Sequence, residues 1–276
     1  MQIATWNVNS IKVRLQQVLD WLETSRTDVL LMQEIKTPDE AFPAKAFEEA
    51  GFRVLFNGQK TYNGVAIAAR ANAVTALEGV VRNIPGYPDA QKRLIAATLV
   101  LKDGRKLRTA CAYFPNGQEV GCDKYLYKLE WIAALTLWVR SELAREALFV
   151  LGGDFNIAPT DADLWDPLQW KGKTPASEPE RNAWAELLKT GLMDTWAQGL
   201  HAPETYSWWD YRMSGFEKNQ GMRIDHLLAS PALVRSMDDV WIDAAPRALE
   251  KPSDHAPVVM RINDAAGAAE RESTSA

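Results

Sequence analysis

The chain has only three histidines, and two of them follow an aspartate: Asp225-His226 in GMRIDHLLAS (221–230) and Asp254-His255 in KPSDHAPVVMRI (251–262). Histidine is the side chain whose unperturbed pKa lies near neutrality, so a carboxylate beside it suggests an oriented acid, base or phosphate contact. Further acids and amides stand where apolar runs stop. IATWNVN ends in Asn7 and Asn9, DVLLMQE in Glu34, and LFVLGGDFN in Asp154 and Asn156. Taken singly, each is most simply a solvated strand end or a turn residue. Together they put hard oxygen donors at the ends of separate strands, beside loop-like sequence, where sheet proteins build their sites. Such donors suit Mg²⁺ or Mn²⁺, and the lack of His and Cys clusters argues against zinc.

These residues need elements to position them. Apolar runs rich in β-branched residues at 3–8, 28–34, 64–70, 93–101, 107–114, 148–155, 223–230 and 257–262 read as strands, several of them buried on both faces. The clearest helical pattern spans 123–146, where Tyr125, Leu129, Ile132, Leu135, Val139 and Leu143 share one face; others run over about 13–23 and 180–190. Helices are too few to follow every strand, which excludes a regular eight-fold barrel and a purely doubly wound sheet. A layered α/β protein with mixed sheets fits. No linker, repeat or low-complexity block divides the chain, so one domain is expected over 1–263, followed by a disordered tail at 264–276.

The bulk numbers are those of a soluble globular protein: 276 residues, 47% hydrophobic and 24% charged. A net charge of -5 argues against a protein held to nucleic acid or membrane mainly by bulk positive charge, and leaves room for a local basic rim. Cys111 and Cys122 make neither a disulfide framework nor a zinc spacing. The start, MQIATWNVNS, lacks the basic and apolar regions of a signal peptide, and no stretch of about eighteen apolar residues occurs. The expectation is a cytoplasmic protein in a reducing setting, with no membrane association.

Eight blocks then form a recognisable series: TWNVNSIKVR (5–14), LLMQEIKT (30–37), GQKTYNGVAI (58–67), AYFPNG (112–117), LGGDFNIAPTDAD (151–163), YSWWDYR (206–212), GMRIDHLL (221–228) and EKPSDHAPV (250–258). In this order the series resembles the exonuclease III family of DNA repair nucleases, which shares its fold with DNase I. The resemblance implies a four-layer α/β sandwich, two facing mixed β-sheets flanked by helices, with the site where both sheets end. It implies that Glu34 is the principal Mg²⁺ ligand, with Asn9 at a position where some relatives carry Asp and Asp254 a further acid near the metal. Asp154 and Asn156 match the pair that activates the attacking water and contacts the phosphate, close to the metal, and Asn7 matches a residue that orients Asp154. Tyr113 and Asn116 match groups beside the scissile phosphate. Asp225 and His255 match a pair in which the carboxylate orients an imidazole toward the phosphate and the metal.

The working pair is then one residue from each dipeptide, because neighbours on a strand point to opposite faces. His226 shares its parity with Ile224 and Leu228 and reads as a packed structural histidine, and His201 as a loop residue. By the same resemblance Trp208, Met222 and Ile224 form an apolar pocket wall for a base-free deoxyribose or a terminal nucleotide. Lys36, Lys60, Lys171, Lys173, Arg212 and Lys218 are candidate phosphate contacts, each alone being an ordinary solvated charge. The expected activity is Mg²⁺-dependent hydrolysis of duplex DNA by a monomer: 3′ to 5′ exonuclease, 3′-end cleaning and abasic-site incision. Mn²⁺ is expected to substitute. The alternatives are a phosphoesterase with the same core acting on a lipid or inositol phosphate, and a silent DNA-binding module. The YSWWDYR and FPNG blocks disfavour the first, and the retained catalytic positions disfavour the second.

Overall fold

The computed structural model describes residues 1–263, so the tail expected at 264–276 lies outside the described residues. The strands are β1 (Gln2–Asn7), β2 (Val29–Gln33), β3 (Phe52–Asn57), β4 (Val65–Arg70), β5 (Val74–Arg82), β6 (Leu94–Leu101), β7 (Lys106–Tyr113), β8 (Phe149–Asp154), β9 (Met193–Asp194), β10 (Trp208–Trp209), β11 (Gly221–Met222), β12 (Asp225–Ala229), β13 (Met237–Ile242) and β14 (Val258–Ile262). The helices are α1 (Ile11–Ser25), α2 (Ala44–Glu49), α3 (Asp123–Leu143), α4 (Pro167–Trp170), α5 (Glu178–Leu188) and α6 (Pro231–Arg235). Every strand read from the sequence is present to within one or two residues, the usual uncertainty of an element end.

Two six-stranded sheets face each other, ordered β13-β14-β1-β2-β4-β3 and β5-β6-β7-β8-β12-β9, with β10 and β11 forming a separate ribbon. Both sheets are mixed, since β1–β2 and β7–β8 pair parallel within otherwise antiparallel neighbours. Strand parity divides the apolar side chains between layers. In β6, Ile95, Ala97 and Leu99 enter the core between the sheets, while Leu94 and Ala96 face α3 and α5. The first sheet covers its outer face with Val18, Trp21 and Leu22 of α1 and Phe47 of α2. The result is the four-layer sandwich expected. No helix among the described residues is long and apolar enough to cross a membrane.

The strands missed from sequence are the four sheet edges, β3, β5, β9 and β13, and the two-residue strands β10 and β11 of the ribbon. An edge strand is partly exposed, and in β5 only Val74 is buried, so no continuous apolar run announces it. The buried stripe of α3 also differs from the reading. Leu129 and Leu143 are half-buried, whereas Lys128 and Glu142 lie inside. Each is paired, Lys128 with Glu180 and Glu142 with Arg108.

Two features set β8 and β12 for the site. A Cβ on Gly152 would stand 2.6 Å from Leu31 Cδ1 in the facing sheet, and one on Gly153 would stand 1.9 Å from the Ala112 carbonyl oxygen. The two glycines before Asp154 thus allow the close approach that side chains would forbid. Below β12, the buried Arg223 donates to Asp163 (2.6 Å), to Asp194 (3.2 Å) and to Nδ1 of His226 (2.8 Å). An arginine can only donate, so Nδ1 of His226 is an acceptor and its Nε2–H donates to the Ile157 carbonyl at 2.9 Å. The ring packs against Phe155 and Trp184. His226 is a neutral, packed histidine whose pKa is driven well below the usual value by burial and then by the Arg223 charge.

Two outcomes are expected. Gly153→Ala should cost about 1–3 kcal/mol, as an overpacked core does, and chemical unfolding of the variant would read it; an unchanged midpoint would mean that β7 and β8 have slack. Because unfolded His226 takes up a proton below about pH 6.5 and the folded ring does not, stability should fall as pH drops toward about 5. The loss approaches about 1.4 kcal/mol per pH unit, and it should be missing from His226→Gln in denaturant unfolding at several pH values. An equal acid loss in that variant would refute the neutral assignment.

Candidate active site

Register brings the acids together. On the second sheet Tyr113 of β7 lies beside Asp154 of β8, and Asp154 lies opposite Asp225 of β12, so three site residues stand in one row across adjacent strands. On the first sheet Asn7 ends β1 next to Gln33 of β2, and Glu34 follows directly. The facing of the sheets closes the remaining gap. Asn7, fully buried, donates from Nδ2 to Glu34 Oε1 and to Asp154 Oδ2, both at 2.9 Å, and so links the two sheets through one amide.

The turns that present these groups are unusual. Asn9, Glu34, Lys36 and Asn156 all have positive φ, at 43°, 49°, 50° and 50°. The left-handed region is tolerable for Asn but costs about 1–2 kcal/mol for a residue such as Glu or Lys. Backbone bonds impose it here: Ser10 N–H donates to the Glu34 carbonyl at 2.8 Å, and Lys36 N–H to that of Asn63 at 3.0 Å.

His255 is fixed at every polar atom but one. Its N–H donates to Ser253 Oγ (3.2 Å), its carbonyl accepts from Trp6 Nε1 (3.1 Å), and its Nδ1 pairs with Asp225 Oδ2 at 2.8 Å. Nε2 is left facing Asp154 Oδ2 at 3.7 Å. Burial alone would lower the pKa of this imidazole, but the Asp225 and Asp154 charges outweigh it and raise it to about 10. Asp154 is pushed up to about 7, chiefly by burial and by Asp225, against the opposing pull of His255 and the Asn7 hydrogen bond. The Tyr113 hydroxyl is raised well above its ordinary value by burial and by the Glu34 and Asp154 charges, so it is a proton donor at neutral pH. For Asp254, burial is outweighed by His255 and by hydrogen bonds from Trp208 Nε1 (3.0 Å) and Asn9 Nδ2 (2.9 Å), which hold its carboxyl low.

Among the described residues, Glu34, Asp154 and His255 form a group whose candidate ligand atoms lie within 4.8 Å of one another. Its carboxylate oxygens are the donors a hard divalent cation prefers. The Lys36 ammonium already sits 2.8 Å from Glu34 Oε2, so the local field draws positive charge. This acidic group can hold a metal ion.

The other expected residues fall into two sets. Asn116 and Asn156 bond to each other, Nδ2 to Oδ1 at 3.0 Å, while the Asn156 N–H donates to Asp154 Oδ1 at 2.9 Å and its own Nδ2 to the Phe114 carbonyl at 3.1 Å. With Trp208, Met222 and Ile224 they line a cleft of about 360 Å³ that reaches Glu34, Asp154 and His255. Trp170, Thr174 and Pro175 also line it, Trp170 packing in the same apolar cluster as Met222 and Ile224. The basic candidates stay apart from the cleft lining. Lys60, Lys171, Lys173 and Lys218 are exposed, Arg212 is exposed but paired with Asp210 at 2.7 Å, and Lys36 is engaged by Glu34 and Asn9. His201 stacks on Trp196, away from the site. Sequence reasoning missed Ser207, which donates to Asp225 Oδ2 at 2.7 Å, and Ser253, which donates to the Asn7 carbonyl at 2.6 Å. Both lie inside quoted blocks, but a small hydroxyl residue leaves no periodic signal.

The model of the endonuclease/exonuclease/phosphatase family matches residues 4–255. Exodeoxyribonuclease III of Haemophilus influenzae is 36% identical over 270 residues, covering 94% of this chain and 98% of that protein. The structure of a 3′ phosphatase, NExo, from Neisseria bound to product DNA hairpin is similar with a TM-score of 0.90 and 43% identity, over 96% of this chain and 100% of the other. An AP endonuclease from Archaeoglobus fulgidus gives a TM-score of 0.88 and 34% identity, again over 96% and 100%. With its fold, its ordered blocks and its full-length relatives in agreement, the chain belongs to the endonuclease/exonuclease/phosphatase family and, within it, to the exonuclease III family of nucleases.

Proposed function

We propose that this chain is a Mg²⁺-dependent DNA repair nuclease acting as a cytoplasmic monomer on duplex DNA, which it degrades 3′ to 5′, clears of 3′ blocking groups and incises at abasic sites. The observation that carries this reading is the Asn7 amide, which holds Glu34 and Asp154 together while Asp225 keeps His255 charged beside them. Hydrolysis of a phosphodiester needs a nucleophile opposite the leaving oxygen and positive charge on the non-bridging oxygens. Asp154, with a pKa near neutrality, takes a proton from water, oriented by Asn7 and by the Asn156 N–H. His255 turns its remaining N–H, Nε2, to a phosphate oxygen, and Tyr113 adds a second donor. Mg²⁺, or Mn²⁺ in its place, held by Glu34 and Asp154 with Asn9, Asn156 and Asp254 around them, would neutralise the phosphate and stabilise the departing 3′ oxygen. Held positive, His255 serves the phosphate rather than the metal, since an imidazolium has no lone pair to give.

Asn116, Trp208, Met222 and Ile224 take up the terminal nucleotide or base-free sugar. Lys60, Lys171 and Arg212 stand exposed for backbone phosphates. Trp170, Thr174 and Pro175 line the same cleft, and we infer that their bulk narrows its mouth. That favours a 3′ terminus, which enters by its free end, over an internal site flanked on both sides by duplex.

The test is a panel of duplexes carrying a recessed 3′ end, a 3′ phosphate or an internal abasic site, set beside a lipid and an inositol phosphate. All DNA activities should vanish with EDTA, return with Mg²⁺ and be abolished alike by Asp154→Asn; turnover confined to the lipid or inositol ester would overturn the DNA assignment. His255→Ala should lower turnover by about two to four orders of magnitude in a folded protein, whereas His226→Gln keeps most of it. Equal losses in the two folded variants would show that the histidines are not divided as proposed.

A further inference from the structure

A lysine in the buried stripe of α3 is out of place by composition, since an ammonium is costly to bury unless fully paired. Lys128 has no exposed surface. Its Nζ donates to the Asn156 carbonyl at 2.6 Å, to the Asn116 carbonyl at 3.3 Å and to Thr174 Oγ1 at 3.5 Å, and it pairs with Glu180. Glu180, equally buried, accepts from Thr174 Oγ1 (2.6 Å), Ser177 N–H (3.1 Å) and Ser177 Oγ (2.5 Å), closing the capping box of α5. The acceptors belong to the cleft. Asn116 and Asn156 bond to each other, the Asn156 N–H holds Asp154, and Thr174 lines the same cleft. One ammonium therefore ties together, from behind, the loop after β7, the turn after β8 and the segment before α5.

We propose that Lys128, supported by Glu180, is a positioning residue for the reaction, holding the Asn116–Asn156 amide pair, and through it Asp154, in register with the cleft wall at Thr174. This rests on the nuclease reading above. A stabilising role alone would not explain the arrangement, because replacing both members of a buried ion pair by neutral groups is often neutral or favourable to stability. The same helix carries its own comparison. Arg108 and Glu142 form a second buried pair, 4% and 7% exposed, at the far end of the strands: Arg108 lies beside Phe149 where β8 begins, while Tyr113 lies beside Asp154 where it ends.

The experiment compares K128M/E180Q with R108M/E142Q in the full chain, with Mg²⁺ and a duplex bearing a recessed 3′ end, measuring kcat, KM and the unfolding midpoint. Glutamine at position 180 preserves the capping box, so α5 keeps its start. K128M/E180Q should lower kcat about tenfold to a hundredfold, the loss expected from misplacing catalytic groups by roughly an ångström, with KM changed less than about threefold as for an interaction made in the transition state. R108M/E142Q should leave kcat at the wild-type value. If K128M/E180Q does not fold, K128Q/E180Q, whose amides can pair with each other, carries the same test with an expected loss of at least about threefold. Wild-type kcat in the folded Lys128 variant, or equal losses in both pairs, overturns the proposal. A wild-type chain that folds but cuts no DNA overturns the nuclease reading itself and takes this inference with it.

Discussion

The site depends on keeping buried carboxylates close together without letting them repel the fold apart. Asp154 and Asp225 are direct cross-strand neighbours, and Glu34 reaches the same point from the other sheet. The His255 imidazolium answers this charge. At the 3.7 Å separating its Nε2 from Asp154, the attraction is on the order of 4 kcal/mol for an effective dielectric constant near 20; the closer Asp225 adds more, and together they outweigh the desolvation of the ring, as its raised pKa records. The Asn7 amide adds two donors to the same cluster, one for each sheet. One cation and one amide thus allow the acids to face a cleft where further positive charge is welcome.

Geometry follows from that need. Ahead of Asp154, Gly152 removes a side chain that would meet Leu31 of the facing sheet, and Gly153 removes one that would meet the Ala112 carbonyl of the neighbouring strand β7. The left-handed turns at Glu34 and Lys36 are held by backbone bonds from neighbouring loops, and those at Asn9 and Asn156 by the side chains of Asn7 and Asp154. Strain of this kind persists only where surrounding structure over-determines it, and here it aims side chains at the cleft. Behind them lies a polar support that reaches far from the chemistry: Ser207 under Asp225, Ser253 between Asn7 and His255, and Lys128 under the two cleft asparagines.

The two histidines of the Asp-His dipeptides show how burial separates similar residues. Both are fully enclosed, yet one is charged and the other neutral. His255 faces two carboxylates, whereas His226 faces a guanidinium that is already matched by Asp163 and Asp194. Desolvation acts the same way on both, and the sign of the nearest charge decides the outcome.

By itself the sequence determined the interior strands, the layered α/β class and the candidate acids, because both-face burial and strand parity are local patterns that survive in one dimension. It placed Glu34, Asp154 and Asn7 at strand ends, and the ordered blocks carried the family resemblance. It did not reveal the edge strands β3, β5, β9 and β13, whose partial exposure or shortness breaks the apolar run. Nor did it reveal that Lys36 turns inward to Glu34, or that Lys128 and Glu142 occupy the buried face of α3 in place of Leu129 and Leu143. Those facts belong to the tertiary structure, because a buried charge is permitted only by a partner, and each partner here stands on another element or in a turn. The meeting of Asn7 with Asp154, and of Asp225 with His255, was decided in the same way: sheet register sets the row on each sheet, and only the packing of one sheet on the other brings the rows into contact.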